Sequence, residues 1–405
     1  MTEKNGDLME KIVSLCKRRG FIFPSSEIYG GLSGFWDYGH YGNELLDNIK
    51  KLWWKSFVSG CENVYGIRTS IIMNPKVWEA SGHVATFSDS MDDGEQFNVM
   101  FKTSVGTGKE ATMSYLRPET AQGMFANFKN VMDSFHPKLP FGIAQIGKAF
   151  RNEISPRDFI FRSREFEQME LEYFVREKDW EKYFENWRKI MVDFGKDVGV
   201  GKIHELEVPE NDRAHYSKRT IDFQFDYPFG IGELWGLAYR TDFDLKSHNA
   251  SSNADMEYFD DETGERFTPH VIEPSFGVDR TVLAILLSAY TEDELGGEKR
   301  VYLKLNKNIA PVRAAVFPLL KNKPELVAKA REIYANLKKE ISNIEFDDNG
   351  NIGKRYRRQD EIGTPYCITV DFDTLESGTV TLRDRDTGEQ ERVIISNLLS
   401  KIKVV

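Results

Sequence analysis

The stretch that decides the fold of this chain reads Phe150-Arg151-Asn152-Glu153, then a loop, then Arg162-Ser163-Arg164-Glu165-Phe166, and finally Glu170. Proline and aspartate in the middle predict the loop, so the whole predicts strand, loop, strand. Side chains alternate between the faces of a strand, which puts Arg162, Phe166 and Glu170 on one face, roughly 13 Å apart in turn. This row suits a ligand with a polyanion, a flat ring and an ammonium group. The alternation by itself is also typical of a solvated sheet face. The same face takes in Arg164, Gln168 and Glu172.

Two further segments complete a pattern. Upstream, residues 50–58 predict an amphipathic helix, followed by the extended residues 67–75. Downstream, residues 273–280 predict a strand and a glycine turn, and residues 281–289 predict a helix. Arg280 in the first turn of that helix is not favoured by the helix dipole. An anionic ligand, bound by this arginine together with the helix N-terminus, explains it better.

These three segments, in this order, resemble the three signature motifs of the class II aminoacyl-tRNA synthetases. Further blocks narrow the resemblance to the glycyl-tRNA synthetases of the homodimeric type, and it covers the chain from about residue 12 to about residue 399. Those blocks are residues 78–83 (Trp-Glu-Ala-Ser-Gly-His), 116–123 (Leu-Arg-Pro-Glu-Thr-Ala-Gln-Gly), 150–156, 235–242 and 356–365.

The resemblance implies a function. A member of this family activates glycine with ATP, with Mg²⁺ as cofactor, and transfers it to the 3′ end of tRNA(Gly). The family motifs imply catalytic roles for Arg151 and Arg280, and glycine binding by Glu119, Glu170, Glu273 and Ser275. They imply ATP binding by Arg151, Glu153, Arg162, Phe166, Glu233, Arg240 and Arg280, with Glu233 also a magnesium ligand. Motif one implies a homodimer.

The C-terminal part has a different charge from the rest. The chain carries a formal net charge of −10; the first 308 residues carry −11 and the remaining residues carry +1. Beyond residue 309 an alternation of strands and helices predicts a small α/β domain. The run Lys354-Arg355-Tyr356-Arg357-Arg358 is either an ordinary surface patch or a site that binds phosphates and stacks a base. In the resembled family this domain binds the anticodon, which makes Arg355, Arg357 and Arg358 candidate tRNA contacts.

Composition excludes some classes of protein. No stretch approaches the roughly 20 apolar residues of a membrane span. The three cysteines, at positions 16, 61 and 367, are too scattered for a zinc site or a disulfide framework, so we expect no zinc and a cytoplasmic location. Many members of the resembled family carry a long insertion between motifs one and two. Here residues 87–97 bridge that gap with a short acidic loop.

The sequence therefore predicts an α+β fold. Residues 1–308 form a class II catalytic domain with an antiparallel β-sheet flanked by helices, and residues 309–405 form the α/β anticodon-binding domain. Two alternatives stay open at this point. One is a non-catalytic nucleic-acid-binding relative, which the presence of Arg151, Phe166 and Arg280 disfavours. The other is a synthetase for another small amino acid, such as serine or alanine.

Overall fold

A computed structural model describes residues 2–91 and 95–403. Its helices, in chain order, are α1 (Thr2–Arg19), α2 (His40–Trp54), α3 (Lys76–Ala80), α4 (His83–Thr86), α5 (Ala121–Ala126), α6 (Phe128–Phe135), α7 (Trp180–Asp197), α8 (Phe243–Ser252), α9 (Val278–Ala289), α10 (Pro324–Glu340), α11 (Ile352–Ile362), α12 (Phe372–Ser377) and α13 (Leu398–Ile402). Among the described residues, no helix is both long and apolar enough to cross a membrane.

The strands fall into two main sheets and several hairpins. In chain order they are β1 (Ile22–Pro24), β2 (Trp36–Tyr38), β3 (Val64–Gly66), β4 (Ser88–Ser90), β5 (Gln96–Asn98), β6 (Lys102–Val105), β7 (Thr112–Tyr115), β8 (Phe141–Phe150), β9 (Glu165–Val175), β10 (Ile203–Glu207), β11 (Arg219–Tyr227), β12 (Gly230–Thr241), β13 (Tyr258–Phe259), β14 (Arg266–Phe267), β15 (His270–Gly277), β16 (Tyr290–Leu295), β17 (Glu298–Leu303), β18 (Ala314–Pro318), β19 (Ile344–Phe346), β20 (Tyr366–Val370), β21 (Thr379–Asp384) and β22 (Gln390–Ile394).

The larger sheet has the strand order β10-β11-β12-β15-β9-β8-β3 and is antiparallel except where β3 joins β8. One face is covered by α2, α7 and α9, and Phe276 on β15 is central to that core. Its ring lies 5.0 Å from that of Phe57 and 4.9 Å from that of Trp235. Because side chains alternate along β15, the neighbours Ser275 and Gly277 face the opposite side. Packing of one face thus orients the polar residues of the other.

The C-terminal domain is a five-stranded mixed sheet of order β19-β18-β20-β21-β22. It has its own apolar core, which includes Ile333 of α10 and Ile368 of β20. The hairpin β16–β17 links it to the first part of the chain. Arg300 on that hairpin donates to Asp293 and to the backbone oxygen of Arg385, 2.7 Å away.

The predicted α+β fold, with one antiparallel sheet and a C-terminal α/β domain, is confirmed. The helix expected at 50–58 begins earlier, at His40, because its buried stripe starts at Gly42 and Leu45. The extended segment 67–75 leaves the sheet after β3, and Ile72 makes an isolated bridge to Leu116. The domain boundary at residue 308 stays a prediction. In the short acidic loop, residues 92–94 lie outside the described residues.

Candidate active site

A cavity of about 480 Å³ opens on the face of the large sheet that lies opposite Phe276. Its floor comes from β9, β12 and β15, and its walls come from the loop between β8 and β9 and from the first turn of α9. Helix α4 with the following Phe87, and the segment 208–216, complete it. Every residue predicted to bind glycine or ATP lines this cavity except Arg240; these are Glu119, Arg151, Glu153, Arg162, Phe166, Glu170, Glu233, Glu273, Ser275 and Arg280.

Arg151 lies where the β8–β9 hairpin opens into its loop. Phe166 pairs with Ala149 in the antiparallel register, so its ring projects beside the end of β8. The Arg151 guanidinium carbon lies 5.2 Å from the ring centroid of Phe166 and equally far from that of Phe87. Its Nε donates to the backbone oxygen of Pro118 at 3.1 Å. The other guanidinium donors face the cavity, between an aromatic plate and an acidic pocket.

Arg162 does not lie on the second strand, as the sequence alternation predicted, because β9 begins at Glu165. It belongs to the loop, which bends back on itself through a bridge between Arg157 and Arg162. Its guanidinium lies 2.7 Å from a carboxylate oxygen of Glu153 and 2.6 Å from one of Asp89. The predicted row on one strand is therefore wrong for Arg162, although the residue does reach the cavity.

Arg280 lies in the first turn of α9, as predicted, and connects two parts of the cavity wall, Glu233 on β12 and Phe161 in the β8–β9 loop. Its Nη1 donates to the Glu233 carboxylate at 3.0 Å and to the Glu233 backbone oxygen at 3.1 Å. Its guanidinium carbon lies 4.6 Å from the ring centroid of Phe161. Burial, together with the charge of Glu233, raises the pKa of nearby Asp222 to about 6. Two carboxylates and one guanidinium thus share this end of the cavity.

The opposite end is an acidic pocket. The Glu170 carboxylate accepts from Ser275 Oγ at 2.8 Å, from Gln168 Nε2 at 2.8 Å, and from both the backbone N–H and the hydroxyl of Thr120. Ser275 and Glu170 are direct cross-strand partners, which puts them on one face. Burial and the charge of Glu119 raise the pKa of Glu170.

Glu119 is the second acid of this pocket. One of its oxygens accepts from Gln122 Nε2 at 3.0 Å, and the other lies 3.3 Å from His83 Nε2. Burial alone would favour the neutral acid. The interactions with His83 and Arg240 outweigh burial and hold the pKa of Glu119 below its usual range.

Arg240 was predicted to contact the nucleotide, and the structure places it elsewhere. It is the extra residue of a β-bulge on β12, since Tyr239 and Thr241 pair with consecutive residues of β15. Its side chain is fully buried beneath the acidic pocket, where it donates to Asp244 at 2.8 and 2.9 Å and to Glu273. The Tyr216 ring lies 3.7 Å from its guanidinium carbon. Its donors are used by Asp244 and by Glu273 of the acidic pocket, not by the carboxylates beside Arg280.

Glu172 is an unexpected member of the acidic cluster. Sequence alternation put it on the ligand-facing side of β9, yet it does not line the cavity and is fully buried. Neither carboxyl oxygen of Glu172 has a hydrogen-bond partner among the described residues. The side-chain amide nitrogen of Gln145, which lies on the same face of the sheet, also lacks one. Burial and the charge of Glu273 raise the pKa of Glu172 well above its ordinary value. Burial also raises the pKa of Glu273, to about 8, although Arg240 opposes the rise.

The three arginines predicted to bind tRNA differ in the structure. Arg355 is almost completely buried, and its guanidinium donates to the backbone oxygens of Pro318, Asp348 and Gly350. It cannot reach an RNA phosphate, so the prediction for Arg355 is wrong. Arg357 and Arg358 are partly exposed and pair with Glu298 at 3.3 Å and with Asp347 at 2.5 Å. Helical spacing alone could not show which arginine points inward.

The predicted magnesium ligand, Glu233, is half-exposed at the cavity wall. Carboxylate oxygens such as those of Glu233 and Asp222 are the ligands that Mg²⁺ prefers, and this ion usually keeps few protein ligands beside substrate phosphates. Across residues 2–91 and 95–403, no group of three or more His, Cys, Asp or Glu side chains is arranged to hold a metal by itself. Glu233 and Asp222 are two carboxylates at one end of the cavity, a set that fits an ion with few protein ligands.

The fold has known counterparts. Residues 101–289 match the tRNA synthetase class II core domain (G, H, P, S and T), and residues 313–404 match the anticodon binding domain. The structure of Giardia lamblia prolyl-tRNA synthetase in complex with prolyl-adenylate superposes with a TM-score of 0.75 at 17% identity, over 100% of this chain and 77% of that one. Fold and cavity together define a class II aminoacyl-tRNA synthetase.

Sequence relatives narrow the class. The chain is 47% identical over 453 positions to the glycine–tRNA ligase of Lachnospira eligens, covering 96% of this chain and 97% of the relative. It is 46% identical to that of Clostridium acetobutylicum, covering 98% of both. The chain belongs to the glycine–tRNA ligase family. The first alignment is longer than the 405 residues of this chain, so the relative has residues without a counterpart here, in agreement with a shortened loop.

Because the buried Glu172 carboxyl has no hydrogen-bond partner among the described residues, we expect it to make the free energy of unfolding depend on pH. Its raised pKa means that the folded state keeps a proton that the unfolded chain loses as pH rises above about 4.3. The stability contributed by Glu172 is therefore present below that pH and lost as pH rises toward the folded-state pKa. Glu172→Gln removes the titrating group, so it should raise the free energy of unfolding more at pH 8.5 than at pH 5, by about 1.4 kcal/mol for each pH unit over which the folded state alone keeps the proton.

Thermal unfolding followed by circular dichroism at the two pH values measures this difference. Glu294→Gln, at an exposed glutamate of the β16–β17 hairpin, is the control and should change neither melting temperature. An equal effect of Glu172→Gln at both pH values would show that Glu172 is not protonated by its surroundings.

Proposed function

We propose that this chain is a glycine–tRNA ligase that forms glycyl-adenylate from glycine and ATP and then transfers glycine to the 3′ end of tRNA(Gly). One observation carries the proposal. A single cavity holds an arginine next to an aromatic plate at one end and two hydrogen-bonded carboxylates, Glu119 and Glu170, at the other. Along the cavity, the aromatic ring matches the adenine of an aminoacyl-adenylate, the arginine matches its phosphate, and the two carboxylates match its ammonium group.

The first step needs alignment and charge neutralisation. A glycine carboxylate oxygen attacks the α-phosphorus of ATP, a new O–P bond forms, and the α–β bridging bond breaks to release diphosphate. Arg151 lies between the acidic pocket and the Phe166 ring, so its planar fork can bind the carboxylate and the α-phosphate together. Stabilising charge that develops at phosphorus is the larger part of such catalysis.

Two further arginines of the cavity, Arg162 and Arg280, are proposed to bind the nucleotide. Phe166 stacks on adenine, and Arg280 covers the other face through a cation–π contact or reaches the terminal phosphates. Arg162 also binds the terminal phosphates, while Glu153 accepts from the adenine amino group. Since Arg162 now pairs with Glu153 and Asp89, ATP must exchange these ion pairs for phosphate contacts. Mg²⁺, held through Glu233, would neutralise phosphate charge.

The acidic pocket selects glycine by charge and by size. Glu119 and Glu170 receive the ammonium group, with Ser275 and Glu273 beside the α-carbon. Arg240 is reassigned from the nucleotide to this end, because it neutralises Glu273 and Asp244 from below. A rigid pocket rejects the methyl group of alanine by steric clash, and no smaller amino acid has to be rejected.

Amino-acid-dependent exchange of diphosphate into ATP tests the first step. Glycine should support exchange, and alanine and serine should not. Arg151→Ala should lower kcat/KM for glycine by about 10²–10³, as loss of a group that stabilises the transition state does. Arg157→Ala, in the same loop and with an exposed side chain, should have little effect. Absence of exchange with wild-type protein, or an unaffected Arg151→Ala variant, would contradict the proposed chemistry.

We also propose that tRNA contacts the C-terminal domain through Arg357 and Arg358. Both project from α11 beside a groove that also exposes Lys354. Replacing both with alanine should raise the KM for tRNA and lower the salt-dependence slope of tRNA binding by about one per lost phosphate contact. Glycine-dependent exchange should stay unchanged, because these residues lie outside the cavity.

The matched control is Arg392→Ala on β22, whose guanidinium pairs with Asp371 at 2.6 Å on the same domain. It should leave the KM for tRNA unchanged. If the variant with both arginines replaced and the Arg392→Ala control have the same KM for tRNA, tRNA uses another surface.

We further infer a homodimer, acting in the cytoplasm where translation takes place. The support is an exposed apolar patch next to motif one. Ile71 and Ile72 are 37% and 42% exposed, and Val105 and Met113 on the β6–β7 hairpin are 48% and 55% exposed. The two parts join where Ser114 Oγ donates to the backbone oxygen of residue 73 at 2.7 Å. A patch of this kind on a monomer marks an interaction surface.

Light scattering after gel filtration should give twice the 46.7 kDa mass of the chain. Ile72→Asp should shift the protein toward the monomer mass, because a buried, unpaired charge opposes association. Ile394→Asp, at a similarly exposed isoleucine of the C-terminal domain, should leave the mass unchanged. A monomer mass for wild-type protein would refute the dimer.

A further inference from the structure

The block Trp78–His83 has no role in the function described so far, although two of its polar side chains are buried. Helix α3 ends at Ala80, Gly82 turns the chain with a φ of 83°, and α4 starts at His83. Ser81 is 2% exposed and His83 is 7% exposed. Both lie at the wall of the acidic pocket.

A chain of two contacts runs from Ser81 to Glu119. Ser81 Oγ lies 2.7 Å from His83 Nδ1, and His83 Nε2 lies 3.3 Å from a carboxylate oxygen of Glu119. A carboxylate only accepts hydrogen bonds, so Nε2 must carry the proton. In the neutral ring Nδ1 is then the acceptor of the Ser81 hydroxyl, and in the imidazolium Nε2 donates as well. In either charge state the ring presents an N–H to Glu119.

The ring is also fixed in orientation. Trp78 packs edge-on against it at 5.5 Å, and Phe87 lies 5.2 Å away. The Asn98 side chain donates to the His83 backbone oxygen at 3.1 Å. A donor locked in this way can hold its acceptor to one geometry, which loosely supported site residues cannot do.

Glu119 is held from the other side too. Its second oxygen accepts from Gln122 Nε2, and that amide is bound in turn by Asp244 at 3.0 Å and His248 at 2.9 Å. With both oxygens restrained, the Glu119 carboxylate has one orientation toward the cavity.

We propose that His83 is a positioning residue for amino-acid selection: Ser81 holds the imidazole ring through Nδ1, and the Nε2–H of the ring aims the Glu119 carboxylate at the ammonium group of glycine. The proposal rests on the function proposed above. His83 touches neither nucleotide nor reacting atoms in this role, so its loss acts on glycine binding and not on ATP binding.

Diphosphate exchange by the full chain, with the KM for glycine and for ATP measured separately, tests this. His83→Phe keeps the ring and removes the donor. It should raise the KM for glycine about ten- to hundredfold, as expected for losing a hydrogen bond to a charged group, with less than a twofold change for ATP. His83→Gln, which restores an N–H donor, should recover most of the loss. Ser81→Ala should raise the KM for glycine by a smaller factor.

His204 supplies the matched control. It pairs with Asp226 at 2.9 Å on the surface, so His204→Phe and His204→Gln remove the same kind of contact away from the cavity and should change neither KM. An unchanged KM for glycine in His83→Phe, or equal rises for glycine and ATP, would overturn the proposal. If His83→Phe does not fold, an unchanged KM for glycine in Ser81→Ala overturns it instead. Failure of wild-type protein to exchange with glycine would reject the underlying function, which is a separate result.

Discussion

Burial of several carboxyl groups around one cavity is the constraint on which the rest of this site depends. Like charges in a medium of low polarity cannot all be ionised, so each acid needs a cation, a donor or a proton. Arg240 is the cation beneath the cluster, fully buried between Asp244 and Glu273. Thr120 and Ser275 supply donors to Glu170. The proposed ammonium group of glycine would add a positive charge to this arrangement.

The sheet supplies the rigidity that such a cluster needs. The aromatic core around Phe276 fixes β15 from below, and the direct pairing of Ser275 with Glu170 fixes β15 against β9 from the side. The acids therefore cannot move apart to relieve repulsion. Burial and their proximity instead raise the pKa values of Glu170, Glu172 and Glu273. Against the effect of burial, His83 and Arg240 hold the pKa of Glu119 below its usual range.

Alternation along a strand and the first turn of a helix are local rules, and they predicted the strands and the positions of Phe166, Glu170 and Arg280. The resemblance to the family motifs supplied the other predicted residues of the cavity lining. The predictions failed where tertiary geometry overrides local rules. Arg240 sits at a β-bulge, which no composition signal marks, and Arg355 turns inward to satisfy backbone oxygens. Glu172 follows the alternation correctly, yet burial deprives it of a partner. Pairing across distant segments, as between His83 and Glu119, is absent from any local pattern.

The short segment from Ser81 to Phe87 links the two ends of the cavity. His83 contacts Glu119 in the acidic pocket, and Phe87 packs under the Arg151 guanidinium. The two rings also pack on each other, 5.2 Å apart. A shift of this segment must therefore move Glu119 and Arg151 together. The segment leads directly into the loop that is short in this chain, where Asp89 pairs with Arg162. The side chains of the segment itself therefore hold it against Glu119 and Arg151.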